Sequence, residues 1–178
     1  YLPLPPSALL EYLSQSHKDK LNNLEDAFKN VEIEEKFTDF WHLHGYRNIM
    51  LKMKELINNA NKKIIISGWK REFSECKKEL MSAKKRGVEC TIFSFTEVDE
   101  KLGKVVSYKL DEDKLRKIWT PKIIMVADHS HTLMGSAQSV EQSKAILTQN
   151  KAISEIAMNH IILDITLAGQ RLGFDSTE

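Results

Sequence analysis

Two His-x-His pairs, His42/His44 and His129/His131, carry the spacing in this chain that most suits a metal. On a strand, residues i and i+2 face the same way, so each pair can offer two imidazoles to one ion, with Asp128 beside the second pair. No third or fourth ligand follows at a recognisable spacing, and histidines on a surface or in a turn account for both pairs more simply. No metal or other cofactor is expected. Cys76 and Cys90 fit no zinc or redox spacing. They read as reduced residues, one on a helix and one in a strand, as in a cytosolic protein. Trp41, Trp69 and Trp119 each fall at or beside a strand end. Trp69 and Phe95 directly follow the first two strands of a strand–helix–strand pattern, and ligands of open α/β sheets bind beyond the carboxyl ends of strands. These aromatics either wall a small-molecule pocket or plug the end of the core.

The elements that would position these residues are legible from periodicity. YLPLPP holds three prolines and reads as extended, after which Ser7 offers a helix N-cap. Nothing breaks a helix from Ala8 to about Lys36. Leu10, His17, Leu24 and Val31 lie seven apart, with Ser14, Leu21 and Phe28 as the companion series, an a/d seam of about three heptads. Such a helix is economically buried against a second copy of itself, and a homodimer is expected; the alternative is an amphipathic helix packed on its own domain. Residues 37–44 have the aromatic bias of a strand, and 46–60 carry one apolar helical face. Ile64-Ile65-Ile66 is an unbroken β-branched run suited to a strand covered on both sides. A helix over 72–85 ends at Gly87, and a strand follows over 88–95, completing a βαβ unit. Residues 105–110 fit an edge strand. Residues 122–127 and 131–136 flank a hairpin turn, 143–148 add a strand, and Asn150 caps a last helix, apolar on most sides, that runs to about Leu172. The expected architecture is α/β: a mixed, largely parallel sheet flanked by helices over residues 37–178, behind a dimerisation segment over residues 1–36.

The chain has 178 residues, 42% of them hydrophobic and 29% charged, enough to bury a core and stay soluble. A net charge of +1 argues against a free-standing DNA-binding domain, which would show a basic stripe. Lys84-Lys85-Arg86 reads as a solvated helix end. No unbroken apolar run reaches the ~18 residues of a membrane span, and no signal peptide is visible, so a cytoplasmic protein with no membrane partner is expected. The chain begins with Tyr1, which suggests that an N-terminal part has been removed.

The tract Trp119–Gln138, WTPKIIMVADHSHTLMGSAQ, resembles the active-site hairpin of the phospholipase D superfamily, whose pattern is His-x-Lys, four residues, Asp, then a Gly-Ser-x-Asn-like element. Lys122 matches the lysine and Gly135-Ser136 match the small pair. Thr120 stands where the histidine should be, Ala127 where the aspartate should be with Asp128 one place late, and Gln138 replaces the asparagine. In that family the histidine takes the phosphoryl group; threonine cannot do so without an activating base, and none is indicated. Lys122 either keeps an anion-facing role or is a lysine at a strand start with its amine in water. The resemblance therefore implies a scaffold that binds a ligand, through Trp69, Phe95, Trp119, Lys122, Ser136 and Gln138, and has no catalytic residues.

The wider pattern, YLPLPP-SALLEYL, a long helix, FWHLHGYRNI, IIISGW-KREF and RGVECTIFSF, is similar to the TrmB family of transcriptional regulators over nearly the whole chain. That resemblance implies an N-terminal winged-helix DNA-binding domain, absent from these residues, a helical dimerisation segment, and a phospholipase D-like domain that binds a small-molecule effector. The seam residues Leu10, His17, Leu21, Leu24, Phe28 and Val31 would form the dimer contact. The alternatives are a divergent phosphodiesterase of the phospholipase D superfamily and a purely structural dimerisation module.

Overall fold

The computed structural model describes residues 5–29, 40–138 and 142–173. The chain divides into two compact units, Tyr1–Thr38 and Asp39–Glu178. The first contains helix α1, Pro6–Lys29. Its first helical residue is the last of the three prolines, against the expectation that the proline run would stay extended. The missing N–H of a proline costs nothing in the first turn, where no intrahelical acceptor exists, and its fixed φ suits a helix start. Leu10, Leu21, Leu24 and His17 are exposed on this helix. Phe28 belongs to its backbone, while Val31 and the expected continuation to Lys36 lie outside the described residues.

The second unit is a seven-stranded sheet. Its strands are β1 (Phe40–His44), β2 (Lys63–Ser67), β3 (Glu89–Thr96), β4 (Lys104–Leu110), β5 (Lys122–Ala127), β6 (His131–Ser136) and β7 (Lys144–Thr148), in spatial order β1-β7-β6-β5-β2-β3-β4. The mixed α/β class expected from the sequence is present, but the balance is not largely parallel. Only β2–β3 and β3–β4 pair in parallel; the other four contacts are antiparallel. The turn joining β5 to β6 is three residues long and can only return antiparallel, whereas the segment between β3 and β4, with its helical turn at Glu100–Leu102, carries the chain back to a parallel start.

Each face of the sheet carries a core. Ile64 and Ile66 point to one side, with Phe73, Leu80, Ile92 and Met125, and are covered by α2 (Tyr46–Asn59), α3 (Lys70–Glu75) and α4 (Lys77–Lys85). Ile65 points to the other, with Phe93, Val106 and Val126, under α6 (Lys151–Leu172). The β-branched run thus feeds both cores, as a strand covered on both faces should. The single helix expected over 72–85 is two pieces. It breaks at Cys76, whose φ of −95° and ψ of 9° leave the helical region while its thiol is held fully buried. A short helix, α5 (Glu112–Arg116), was not expected. It is capped by the Asp111 carboxylate, which accepts from Lys114 N–H at 3.0 Å.

Asn150 caps α6 as its residue type suggests, accepting from Ile153 N–H at 3.3 Å, and Gly173 closes it in the left-handed conformation. Although no unbroken apolar run of that length occurs in the sequence, α6 is long and apolar enough on average to cross a membrane. In this fold its inner residues Ala157, Ile161 and Ala168 are buried against the sheet, while Ile156, Leu163 and Leu167 face outward.

Candidate functional site

The β5–β6 hairpin fixes the geometry of the expected site. Asp128 and His129 occupy its two central turn positions with φ of 50° and 59°, and Ser130 N–H bonds to Ala127 carbonyl at 3.1 Å. Three residues, Asp128 to Ser130, separate the paired Ala127 and His131, and the first two hold positive φ, the left-handed region that glycine or asparagine usually fills in such turns. The usual glycine is absent, and Asp128 compensates. Its carboxylate accepts from the backbone N–H groups of Asn61, Lys62 and Lys63 at 2.9, 2.8 and 2.9 Å, tying the turn to the start of β2. Partial burial works against this carboxylate, but the three donors together outweigh it and hold its pKa below the usual range. The acid one place late in the motif is therefore committed to the fold.

The other end of the hairpin, ~17 Å away along five strand steps, gathers the remaining motif residues. Lys122 is paired with Ser136 across the strands and its side chain is exposed. Ala137 N–H donates to the Pro121 carbonyl at 2.9 Å, and the Gln138 amide donates to Thr120 Oγ1 at 3.1 Å. Ser136 faces β7: its hydroxyl accepts from Lys144 N–H at 3.2 Å and donates to Lys144 carbonyl at 3.4 Å. Gly135 is equally structural. A Cβ there would collide with the Lys144 carbonyl and approach Ala145 Cα to 2.5 Å. Thus the small pair of the motif seats β7 against β6.

The aromatics separate. Phe95 meets Trp119 edge-on, with ring centres 5.0 Å apart, and stacks on Tyr108 at 5.8 Å. Trp119 is 49% exposed, whereas Trp69 is only 4% exposed and carries the Arg116 guanidinium 5.5 Å above its ring. Phe95, Trp119, Thr120, Lys122 and Gln138 lie toward the same end of the sheet, the strand mouth, with contacts joining Phe95 to Trp119 and Gln138 to Thr120.

A charged cluster beneath this mouth escaped sequence reading. The Glu72 side chain is fully buried; its Oε1 accepts from Arg71 Nε at 3.0 Å and from the Tyr46 hydroxyl at 3.2 Å. Arg71 lies 4.0 Å over the Tyr46 ring and donates at 2.6 Å to the Ala137 carbonyl, so it clamps the segment leading to Gln138. Burial pushes the Glu72 carboxyl above its ordinary pKa despite the pull of Arg71, and Oε2 has no partner among the described residues. Burial, reinforced by Glu72, raises the Tyr46 hydroxyl as well. One signal was available: Glu72 precedes Cys76 and Leu80 by four and eight residues, on the inner stripe of the helix.

The histidine pairs do not meet. His42 and His44 are exposed on edge strand β1, while His131 lies at the turn end with Gln149. Among the described residues no group of three or more histidine, cysteine or acidic side chains converges as a metal site would. Cys76 and Cys90 are both buried, and burial, with Glu79 next, pushes the Cys76 thiol up to about 12.

In comparison with known proteins, residues 39–163 match the family described as transcriptional regulator TrmB, effector-binding domain, N-terminal subdomain. The chain is 22% identical over 170 residues to the uncharacterised protein YrhO of Bacillus subtilis (strain 168), a match covering 94% of this chain and 61% of that protein. The chain thus spans about three fifths of its relative's length. Among solved structures it resembles TrmBL2, an archaeal chromatin protein with a novel mode of DNA binding, with a TM-score of 0.51, 17% identity, and coverage of 90% of this chain and 69% of that one. It also resembles Nuc from Salmonella typhimurium, a phospholipase D family member, with a TM-score of 0.50, 15% identity, and coverage of 68% and 91% respectively. At these identities the two structures establish the phospholipase D-like fold.

Proposed function

Because the chain belongs to the TrmB family of transcriptional regulators, matching the N-terminal subdomain of their effector-binding domain, we propose that it is the effector-sensing and dimerising portion of such a regulator, binding a small molecule on a fold that does not cleave it. The observation that carries this reading is Thr120. It stands where the superfamily's phosphoryl-accepting imidazole belongs, and its hydroxyl oxygen is engaged by Gln138. A serine or threonine hydroxyl needs an adjacent base to attack phosphorus at neutral pH. His129 and His131 sit at the far end of the hairpin. His44 is separated from Lys122 by three strand spacings, ~14 Å, and His160 lies on α6 beside Asp164 at 3.7 Å. The partner found at the Thr120 hydroxyl is the Gln138 amide, which is no base.

In this reading the effector binds at the strand mouth, where Phe95 and Trp119 would offer an aromatic face, Lys122 an ammonium and Gln138 an amide edge, with Trp69 and Ser136 beside them. Its binding would change the geometry of a homodimer formed through α1, and so the spacing of two N-terminal winged-helix domains on DNA in the cytoplasm. Such coupling requires that the effector favour one dimer geometry over the other. A divergent phosphodiesterase is the second reading, supported by the retained Lys122 and the likeness to Nuc.

The function is tested by equilibrium DNA binding of the protein extended through a winged-helix domain, with and without metabolites that raise the thermal midpoint of the 178-residue chain. A change in DNA affinity of about fivefold or more is expected, the lower end of ordinary allosteric coupling. The absence of sequence-specific binding under every condition would contradict the proposal. The dimer is tested separately. Leu21→Glu with Leu24→Glu places like charges at neighbouring seam positions, and sedimentation should then show the chain shifted to monomer. A double variant that sediments like the parent would remove α1 as the dimer contact.

A further inference from the structure

At the turn end of the hairpin, opposite Lys122 and Ser136, a cavity of about 520 Å³ opens between the end of α2, the β5–β6 turn and the edge pair β1–β7. Its apolar wall is Trp41, Leu43, Leu56 and Leu147. Trp41 sits in register with Leu147 and is 47% exposed, so an indole face is left uncovered beside a concave surface. The volume falls within the usual range for small-molecule sites.

The charges around this cavity are already spent. Lys52 Nζ is paired with Glu55 Oε1 at 2.7 Å, and both Asp128 oxygens accept backbone N–H groups. What remains is neutral hydrogen-bonding capacity. The Gln149 amide nitrogen lies 3.1 Å from His131 Nε2, so that ring nitrogen accepts, and Nδ1–H donates to Ser130 Oγ at 2.9 Å. This leaves Gln149 Oε1 to accept and the Ser130 hydroxyl to donate. On the facing rim, Asn61 Nδ2 donates to the Asn59 carbonyl, leaving Asn61 Oδ1 and its second N–H open. An aromatic platform flanked by paired donors and acceptors, with no uncommitted charge, suits a flat, uncharged molecule with a polar edge.

We propose that this cavity binds a neutral nitrogen heterocycle of nucleobase or nucleoside size, stacked on Trp41 and read at its edge by Gln149, Ser130 and Asn61. The site is separate from the strand mouth and does not depend on the effector assignment there. Among the described residues lining the cavity the one lysine or arginine is Lys52, already held by Glu55, so a nucleoside is preferred over its monophosphate.

Calorimetric titration of the chain with adenosine, guanosine, cytidine and uridine, with adenosine monophosphate and glucose alongside, tests this. At least one nucleoside should bind saturably and more tightly than the monophosphate, and quench tryptophan fluorescence. Trp41→Ala should weaken it by about tenfold, the usual effect of losing one stacking partner, and Gln149→Leu should weaken it too. Gln149 is an exposed side chain, so Gln149→Leu decides alone if Trp41→Ala does not fold. The proposal is overturned if no nucleoside saturates, if glucose alone binds, or if binding survives both substitutions. Binding lost in Trp119→Ala but kept in Trp41→Ala would move the ligand to the strand mouth and equally overturn it.

Discussion

Gly135→Ala is expected to lower the thermal midpoint by about 6–12 °C, corresponding to roughly 3 kcal/mol at 2–4 °C per kcal/mol for a chain of this size. The added methyl would meet the Lys144 carbonyl and the Ala145 Cα, both backbone atoms of a paired strand. A flexible side chain could turn aside; a ladder partner cannot without breaking pairs that hold β7 and, through it, β1. Calorimetry of the variant checks this, and a midpoint within about 2 °C of the parent would show that β7 moves more freely than its pairing implies. The substitution also separates two accounts of why a Gly-Ser pair stands at this point. If it serves strand packing, stability falls; if it serves only a ligand, stability is untouched and ligand affinity falls.

Arg71→Ala is the second large effect, and it depends on pH. Removing the guanidinium leaves the buried Glu72 carboxylate with the Tyr46 hydroxyl alone, a situation that costs about 3 kcal/mol or more. The folded-state pKa of Glu72 already lies above its ordinary value, and loss of Arg71 raises it further. An acid raised on folding binds its proton more tightly in the native state. Stability is therefore greatest below the unfolded pKa and is lost as pH rises through the folded one. The variant should be close to the parent in urea unfolding near pH 4 and most destabilised near pH 8. A cost that does not change with pH would mean that the lost packing over the Tyr46 ring dominates. Arg71→Leu with Glu72→Met, removing both charges, should recover most of the loss, because the desolvation penalty goes with the carboxylate.

Much of the fold was legible because short-range physics fixed it. The alternation that sends Ile64 and Ile66 to one core and Ile65 to the other, the Asn150 cap and the stop at Gly173 are all local signals. The break at Cys76 was not legible, because nothing in KREFSECKKEL disfavours a continuous helix; it coincides with a side chain buried in the core. The parallel bias was over-read from one βαβ unit, and strand order is a non-local property that short links alone only partly constrain. At the strand mouth, the hairpin brought Lys122, Ser136, Thr120 and Gln138 together as their spacing implied. Arg71 was missed because its partner, the Ala137 carbonyl, lies 66 residues away. The turn-end cavity was missed for the same reason: Trp41, Asn61 and Gln149 are distant in sequence and meet only through the sheet.

Activity toward a generic phosphodiester such as bis(p-nitrophenyl) phosphate tests most directly whether this scaffold recognises molecules without cleaving them. The account predicts no turnover above buffer, in the parent and in Lys122→Ala alike. Turnover by the parent that disappears in Lys122→Ala would contradict it and show that the strand mouth finds its nucleophile elsewhere.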